Sequence, residues 1–245
     1  MSKYFDLMKE LEREQDFDQE IKPDFPAPGE NRNVNTGLSS SDSTLTLVQR
    51  IFLQQAQDSP RMVVFAGIDH GNGCSQIATS VAEALAANAP GSVCLVEANF
   101  RSPGLTGILG TTNHRGLTDA LVEDGSIRSF LKPVSQGRLW LLSSGPLAAD
   151  SANLLTAQRM SARSAELRKE FDFVIVDAPP ITRYADAISL GLLSDGVVLV
   201  LEANSTHRET ALAATESLRS SGIKILAAVL NKRTFPIPEA IYSKL

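Results

Sequence analysis

The sequence predicts an α/β domain in which helices flank a doubly wound, mainly parallel sheet. Six short runs rich in apolar and β-branched residues recur along the chain, and helical patterns lie between most of them. The runs show no polar alternation, which is typical of strands buried on both faces of a sheet. Hydrophobic residues form 43% of the 245 residues, so the chain has enough apolar material for such a core.

The N-terminal region differs from the rest of the chain in its charge. Residues 1–30 contain nine acidic and four basic residues, which accounts for the net charge of −5 of the whole chain. Apolar residues at helical spacing over 1–15 predict an acidic amphipathic helix, with a frayed charged tail as the alternative, because isolated helices this short are marginal in water. Residues 16–43 are rich in Pro, Gly, Asn and Ser, which predicts a flexible linker.

Charge and cysteine content exclude several classes of protein. An acidic chain without a basic face is not expected to bind nucleic acid. The two cysteines, Cys74 and Cys94, lack the paired spacing of a disulfide framework or a zinc site, which favours a reducing, cytosolic compartment. No apolar run approaches the roughly 20 residues that span a bilayer, and the charged N-terminal sequence is not typical of a signal peptide. We therefore expect no direct membrane insertion.

The predicted domain covers residues 44–235 and is followed by a tail at 236–245. It opens with a helix over TLTLVQRIFLQQA, whose apolar residues are available to pack on the sheet. The six predicted strands have the sequences MVVFAG, VCLVEA, LWLLSS, FVIVDA, GVVLVLEA and KILAAVLN. Ligands of parallel sheets bind beyond the carboxyl ends of the strands. The residues that follow each strand are therefore the candidates for function.

The first strand runs into the sequence GIDHGNGCSQ and then into a helical pattern. Gly71 and Gly73 permit the backbone to curl so that successive amides face one anion, and the helix N-terminus adds partial positive charge. Ser75 stands where the hydroxyl of a phosphate-binding loop would bind Mg²⁺. The full pattern G-x-x-x-x-G-K-[ST] is not met, because its lysine falls on Cys74 and its first glycine on Ile68. A plain strand-to-helix turn is the alternative.

Polar residues also follow three other strands. Glu97, Asn99 and Arg101 follow the second strand, and Asp177 ends the fourth before a rigid Ala-Pro-Pro turn. A carboxylate at the end of a buried strand is costly unless it meets a cation, water or hydrogen-bond donors. Asp177 is therefore either a Walker B acid that holds Mg²⁺ through water or the cap of the next helix. Asn231 ends the last strand and either pairs with a base edge or closes a turn.

Several stretches together resemble the bacterial tyrosine kinases of capsule and exopolysaccharide assembly, which are P-loop NTPase-like proteins related to the MinD/ParA ATPases. The resemblance covers about residues 44–233. The matching stretches, in family order, are VCLVEANFRSPGL, RGLTDAL, LWLLSSGPLAADSANLL, FDFVIVDAPP, YADAISLGLLSDGVVLVLEANSTHRET and VLNK.

The resemblance implies roles for the residues at the strand ends. ATP or ADP with Mg²⁺ is the implied cofactor, and Asp177 is the implied metal-binding acid with Ser75. Asn231 falls at the adenine, and Glu97 and Asn99 take the positions of two catalytic aspartates. The implied phosphate-binding positions are Gly71, Gly73, Cys74, Ser75 and Gln76. The implied partner is a membrane-embedded polysaccharide chain-length regulator, met by its cytoplasmic end at the inner face of the membrane, and a homo-oligomer is also implied.

The departures from the family pattern concentrate at the chemistry. Cys74 replaces the lysine that bridges the β and γ phosphates, Asn99 removes one carboxylate, and Glu97 is longer than the aspartate it replaces. Phosphoryl transfer depends on positioned charge, and losing one charged contact costs about 3 kcal/mol or more, hence about 10²-fold in rate. The family's tyrosine cluster is also missing, since the sequence has only Tyr4, Tyr184 and Tyr242.

We therefore expect a catalytically degenerate regulatory or scaffolding protein of exopolysaccharide biosynthesis and export. One alternative is an active tyrosine autokinase or ATPase that uses a surrogate cation. The candidates for that cation are Arg101, Arg183, Lys232 and Arg233. Another alternative is a protein that senses nucleotide without turnover. Cys74 is either a small residue that fills the vacated lysine site or a thiol activated by the helix N-terminus.

Overall fold

A computed structural model describes residues 40–53, 59–112, 114–135, 137–146 and 158–233. The predicted N-terminal helix at 1–15, the predicted linker up to residue 39 and the predicted tail at 236–245 lie outside the described residues. None of the helices in the described ranges is long and apolar enough to cross a membrane.

The described chain forms a seven-stranded sheet with the strand order β3-β4-β2-β5-β1-β6-β7. Neighbouring strands pair in parallel except β3 and β4, which are antiparallel. The strands are β1 (Met62–Gly67), β2 (Val93–Glu97), β3 (Lys132–Ser135), β4 (Leu139–Leu142), β5 (Phe173–Ala178), β6 (Gly196–Glu202) and β7 (Ile225–Asn231). All six predicted strands are present, and the predicted doubly wound α/β class is confirmed.

Seven α-helices flank the sheet in the described part of the chain. They are α1 (Ser40–Phe52), α2 (Cys74–Asn88), α3 (Leu105–Ile108), α4 (Leu117–Val122), α5 (Gln158–Glu170), α6 (Asp186–Leu192) and α7 (Arg208–Ser220), with a 3₁₀ turn at Ile127–Phe130. Buried residues of α1, α2 and α3 form one core with one set of strand side chains. Buried residues of α4 to α7 form a second core with the other set. The sheet is therefore covered on both faces.

Helix α1 begins four residues before the predicted start at residue 44. Serines and Asp42 occupy its first turn. Such residues suit a helix N-terminus because their oxygens and negative charge stabilise the unpaired backbone N–H groups there. Val48, Ile51 and Phe52 are buried against the sheet. The Phe52 ring meets the Phe173 ring edge-on at 5.9 Å between centroids. The helix therefore packs on the sheet from its C-terminal half.

Strand β1 lies in the middle of the sheet between β5 and β6, and all six of its residues are buried. In the parallel register, Phe65 is the partner of Asp177, and Glu97 is the partner of the same residue from the other side. The carboxyl ends of β1, β2 and β5 therefore meet at one edge. This edge holds the polar residues that the sequence singled out.

Candidate functional site

The loop between β1 and α2 has a backbone that glycine alone adopts without strain. Gly71 and Gly73 have φ angles of 85° and 80°, in the left-handed region. Gly73 directly precedes α2, and a Cβ added to it would lie 2.4 Å from Nδ2 of Asn231. A side chain at Gly73 would therefore suffer both backbone strain and a collision with β7.

Hydrogen bonds within the loop and to neighbouring elements fix its curved backbone. The Asp69 N–H donates to Oδ1 of Asn72 at 2.6 Å, and Nδ2 of Asn231 donates to the Asn72 carbonyl at 2.8 Å. The Thr182 hydroxyl donates to the Ile68 carbonyl at 2.7 Å. No described residue accepts a hydrogen bond from the backbone N–H groups of residues 71–76. Consecutive free amides of this kind, next to a helix N-terminus, form a binding site for an anion.

The loop and the segment after β2 enclose a cleft of about 320 Å³. Six of the residues predicted from the sequence line it: Gly71, Gly73, Cys74, Ser75, Gln76 and Asn99. The other three predicted residues, Glu97, Asp177 and Asn231, lie around the cleft without lining it. Among the described residues that line the cleft there is no lysine and no arginine.

Asp177 is 1% exposed, and no described residue donates a hydrogen bond to either of its carboxylate oxygens. Burial raises the pKa of Asp177 to about 7; the nearby Ser75 hydroxyl counteracts this rise, and the charge of Glu97 adds to it. The Cys74 thiol also lowers this pKa, although neither it nor the Ser75 hydroxyl forms a hydrogen bond with an Asp177 oxygen. A buried carboxylate without donors fits a divalent cation or a water bound to one.

Cys74 is the first residue of α2 and keeps partial exposure at the cleft. Enough protein surrounds its sulfur for burial to raise the pKa of the thiol well above its ordinary value, and the charge of Asp177 raises it further. The thiol is therefore neutral at physiological pH. This favours a small residue in the vacated lysine site over an activated thiol, because nucleophilic cysteines have lowered pKa values.

The Glu97 carboxylate is fully buried and binds backbone. Its Oε1 accepts hydrogen bonds from the N–H groups of Gly104 and Leu105, both at 2.7 Å, and its Oε2 accepts one from Ser144 at 2.9 Å. These bonds cap the start of α3 and tie it to the loop after β4. Asn99 does line the cleft, and its Oδ1 accepts a hydrogen bond from the Ser102 N–H at 3.3 Å.

The four candidate surrogate cations differ in their surroundings. Arg101 pairs with Asp186 at 3.4 Å, and Lys232 pairs with Glu202 at 3.1 Å. Arg183 is exposed, and its guanidinium makes no ion pair or hydrogen bond with the described residues. Arg233 lines a groove between α1 and β7, apart from the cleft. None of the four lines the cleft itself.

Asn72 also lines the cleft and was not predicted from the sequence. It is 3% exposed, accepts from the Asp69 N–H, and its Nδ2 lies 3.5 Å from the Thr206 hydroxyl. Its position between two glycines was the available signal, because an amide there can satisfy the backbone of a curled loop. Asn72 therefore shapes the anion site from within.

The chemical groups at the cleft are of the kinds that bind Mg²⁺ and a phosphate chain. The free amides of residues 71–76 suit phosphate oxygens, and the Ser75 hydroxyl and Asp177 suit Mg²⁺. The described residues contain no group of three His, Cys, Asp or Glu side chains that could hold a metal ion. A magnesium ion would therefore depend on phosphate and water oxygens for most of its ligands.

Comparison with known proteins finds named relatives. The chain is 30% identical to tyrosine-protein kinase YwqD of Bacillus subtilis over 192 residues, which cover 78% of this chain and 81% of the relative. It is 28% identical to the succinoglycan biosynthesis transport protein ExoP of Rhizobium meliloti, over 72% of this chain and 23% of that longer protein. No protein-family model matches the chain.

Solved structures with the same fold include kinases and ATPases. The kinase domain of Escherichia coli tyrosine kinase ETK superposes with a TM-score of 0.74 at 19% identity, covering 81% of this chain and 79% of that one. The septum site-determining protein MinD from Pyrococcus horikoshii, complexed with Mg-ADP, superposes with a TM-score of 0.60 at 19% identity, covering 75% and 76%. The predicted P-loop NTPase-like fold is therefore confirmed.

Proposed function

The chain belongs to the bacterial tyrosine-protein kinase family. We propose that it does not catalyse phosphoryl transfer and instead regulates or scaffolds exopolysaccharide biosynthesis and export. Relatives of the chain carry names from capsule and exopolysaccharide assembly, among them ExoP.

The observation that carries the proposal is the missing cation at the phosphate loop. No lysine or arginine of the described chain lines the cleft, and the thiol at the lysine position is neutral. Phosphoryl transfer is catalysed almost entirely by positioned charge. Losing one such contact to the developing charge costs about 3 kcal/mol, or about 10²-fold in rate.

The acids support the same conclusion. The Glu97 carboxylate is fully buried, does not line the cleft and is held by three backbone N–H groups, so an attacking hydroxyl in the cleft does not reach it. Asn99 lines the cleft but has no charge and no basic oxygen of useful strength. Asp177 is buried, does not line the cleft and is the proposed acid of the Mg²⁺ site, so it does not reach a hydroxyl in the cleft. A general base is therefore missing beside the loop.

Residual nucleotide binding is part of the proposal. The amides of residues 71–76 would hold the phosphates of ADP or ATP, and Ser75 and Asp177 would hold Mg²⁺, the latter through water. The metal would supply the positive charge that the protein side chains do not. Asn231 keeps its proposed place near the base, although its Nδ2 already donates to the loop. Because an exposed, cation-poor site gives little charge assistance, binding would be weak.

The proposed partner is a membrane-embedded polysaccharide chain-length regulator, bound from its cytoplasmic end. The chain matches 23% of the transport protein ExoP, so in that relative a similar segment is joined to a much longer protein. We propose that this chain makes the equivalent contact as a separate protein at the inner face of the membrane. Residues 1–15 are a candidate contact segment, joined to the domain by the part of the predicted linker that precedes α1, residues 16–39.

The test is ATP turnover and tyrosine phosphorylation in purified protein. Wild type and Asp177→Asn are incubated with Mg-ATP, and phosphate release and phosphotyrosine are measured, with YwqD as the positive control. We expect equal, background-level rates and no phosphotyrosine. Turnover that depends on Asp177 would overturn the proposal.

The second candidate, an active kinase or ATPase with a surrogate cation, depends on Arg183. Its guanidinium has no partner among the described residues, and it lies in a pocket that adjoins the cleft. If Arg183 replaced the lysine, the wild type would turn over ATP, and Arg183→Ala would abolish that turnover while Arg208→Ala, on exposed α7, would not. Background rates in all three proteins remove this candidate.

A further inference from the structure

A second pocket, of about 340 Å³, adjoins the cleft. It shares His70, Asn99, Ser102 and Pro180 with the cleft. Arg101, Arg183 and Tyr184 complete its lining, and we call it the arginine pocket. Its described lining contains two arginines and a histidine but no carboxylate. A pocket of this size and polarity is within the range that encloses small ligands or single side chains.

Arg101 is fixed in place within this pocket. Its guanidinium carbon lies 3.9 Å from the centroid of the Tyr184 ring, and its Nε lies 3.4 Å from Oδ2 of Asp186. An arginine held between an aromatic face and a carboxylate loses little further rotamer freedom when it binds an anion. Its side chain is still 39% exposed, so part of it remains accessible.

Arg183 provides a charge that the fold has not used. No described residue forms an ion pair or a side-chain hydrogen bond with it, whereas its backbone is set by a turn in which Arg183 and Tyr184 both donate to the Pro180 carbonyl, at 3.3 and 3.2 Å. The turn follows β5, which ends at Ala178. The backbone of Arg183 is therefore held at the pocket by this turn, and its side chain is left to bind a ligand.

We propose that the arginine pocket binds a phosphorylated tyrosine side chain of a partner polypeptide. Arginine pairs with phosphate through two parallel hydrogen bonds, and arginine clusters are a general means of recognising phosphorylated residues. The Ser102 hydroxyl and the Asn99 amide are further donors in the lining. The neutral Asn99 matters here, because a carboxylate at that position would repel a dianion.

The apolar part of the lining favours an aromatic ligand. Pro180 and the part of the Tyr184 ring that the Arg101 guanidinium does not cover provide apolar surface next to the arginines. A phenyl phosphate places its ring against such surface while its phosphate reaches the guanidinium groups, whereas phosphoserine is too short to do both. The inference builds on the proposed function, since a member without phosphoryl transfer would then read the phosphotyrosine that active kinases make.

The test is fluorescence anisotropy with the full chain and a labelled peptide that carries one phosphotyrosine among glycine and serine residues. We expect saturable binding that Arg183→Ala weakens at least about tenfold, the effect of losing one charge-assisted contact. Arg208→Ala is the matched control, because Arg208 is exposed on α7 and its side chain forms no ion pair or hydrogen bond with the described residues. It should bind as the wild type does.

Three results would overturn the inference. They are absence of binding at millimolar peptide, equal affinity of wild type and Arg183→Ala, and equal affinity for phosphotyrosine and phosphoserine peptides. The unphosphorylated peptide should not bind. ATP turnover measured in the same preparations separates the two proposals, because loss of peptide binding with turnover still at background contradicts only the arginine pocket.

Discussion

At single residues, the cleft combines the backbone of a phosphate-binding loop with a described lining that has no lysine and no arginine. The amides of residues 71–76 are free, and Asp177 is buried without donors. Between these two groups the chain has Cys74, whose thiol is neutral. A cation at this position would interact with both a phosphate chain and the Asp177 carboxylate. A neutral cysteine at this position provides neither interaction.

Cys74→Lys should restore nucleotide affinity without restoring turnover. An ammonium group at the start of α2 would pair with phosphate, so we expect the affinity for Mg-ATP to rise about tenfold to a hundredfold. Titration calorimetry measures it, and Cys74→Ala, which adds no charge, should bind like the wild type. Turnover should stay at background because Asn99 and the occupied Glu97 carboxylate supply no base. Rapid turnover in Cys74→Lys would show that the acids are not limiting.

Asp177 should make the stability of the protein depend on pH. Its pKa is about 7 in the folded chain against an ordinary value of 3.8, so the folded state holds the proton more tightly than the unfolded state. Stability from this group is complete below pH 3.8 and is lost as the pH rises through 7. The loss between these limits is on the order of 4 kcal/mol.

Asp177→Asn removes this titration and should therefore be the more stable protein at high pH. Urea unfolding of both proteins at pH 5 and pH 8 measures the difference, which we expect to grow by about 2–3 kcal/mol in favour of Asp177→Asn. The measurement is made without Mg²⁺. A difference that does not change with pH would show that Asp177 stays charged in the folded protein.

At the scale of elements, the strands were predictable and their side-chain partners were not. The six apolar runs predicted β1, β2, β4, β5, β6 and β7, because strands buried on both faces need continuous apolar sequence. Strand β3 was missed because its four residues, KPVS, include a proline and a lysine and belong to a sheet edge. An edge strand forms because it pairs with its neighbouring strand, and its own sequence indicates that pairing only weakly.

Glu97 and Asn231 show why a candidate site is harder to predict than the strands that carry it. Their positions at strand ends followed from the sequence, and the structure places both there. The direction of each side chain depends on groups far along the chain: Glu97 binds Ser144, and Asn231 binds Asn72. A residue's role at a strand end stays a prediction until such long-range partners are known.

The loop between β1 and α2 should be sensitive at Gly73 and tolerant at Gly71. Gly73→Ala combines a left-handed φ with a Cβ only 2.4 Å from Asn231 Nδ2, so we expect a loss of about 2–4 kcal/mol. Gly71→Ala has the same strain but no atom within 4 Å of its Cβ, so we expect about 1–2 kcal/mol.

Urea unfolding measures both glycine variants, and the double variant Gly73→Ala/Asn231→Ala separates strain from collision. Removing the Asn231 amide should recover part of the loss in Gly73→Ala, because the collision disappears while the backbone strain remains. Equal losses of unfolding free energy in Gly71→Ala and Gly73→Ala would show that Asn231 of β7 does not collide with a side chain at residue 73.

At the scale of the whole molecule, weak nucleotide binding at one sheet edge should be visible as thermal stabilisation. If Mg-ADP binds with a dissociation constant of about 1 mM, a concentration of about 5 mM stabilises the folded chain by about 1 kcal/mol, which raises the melting temperature by about 2–4 °C. Mg-AMP, which lacks the β-phosphate that the free amides would hold, should give no shift, and Cys74→Lys should enlarge the shift with Mg-ADP. Identical melting temperatures with and without Mg-ADP, in wild type and in Cys74→Lys, would show that the amides of residues 71–76 bind no phosphate. The protein would then act only by binding other proteins.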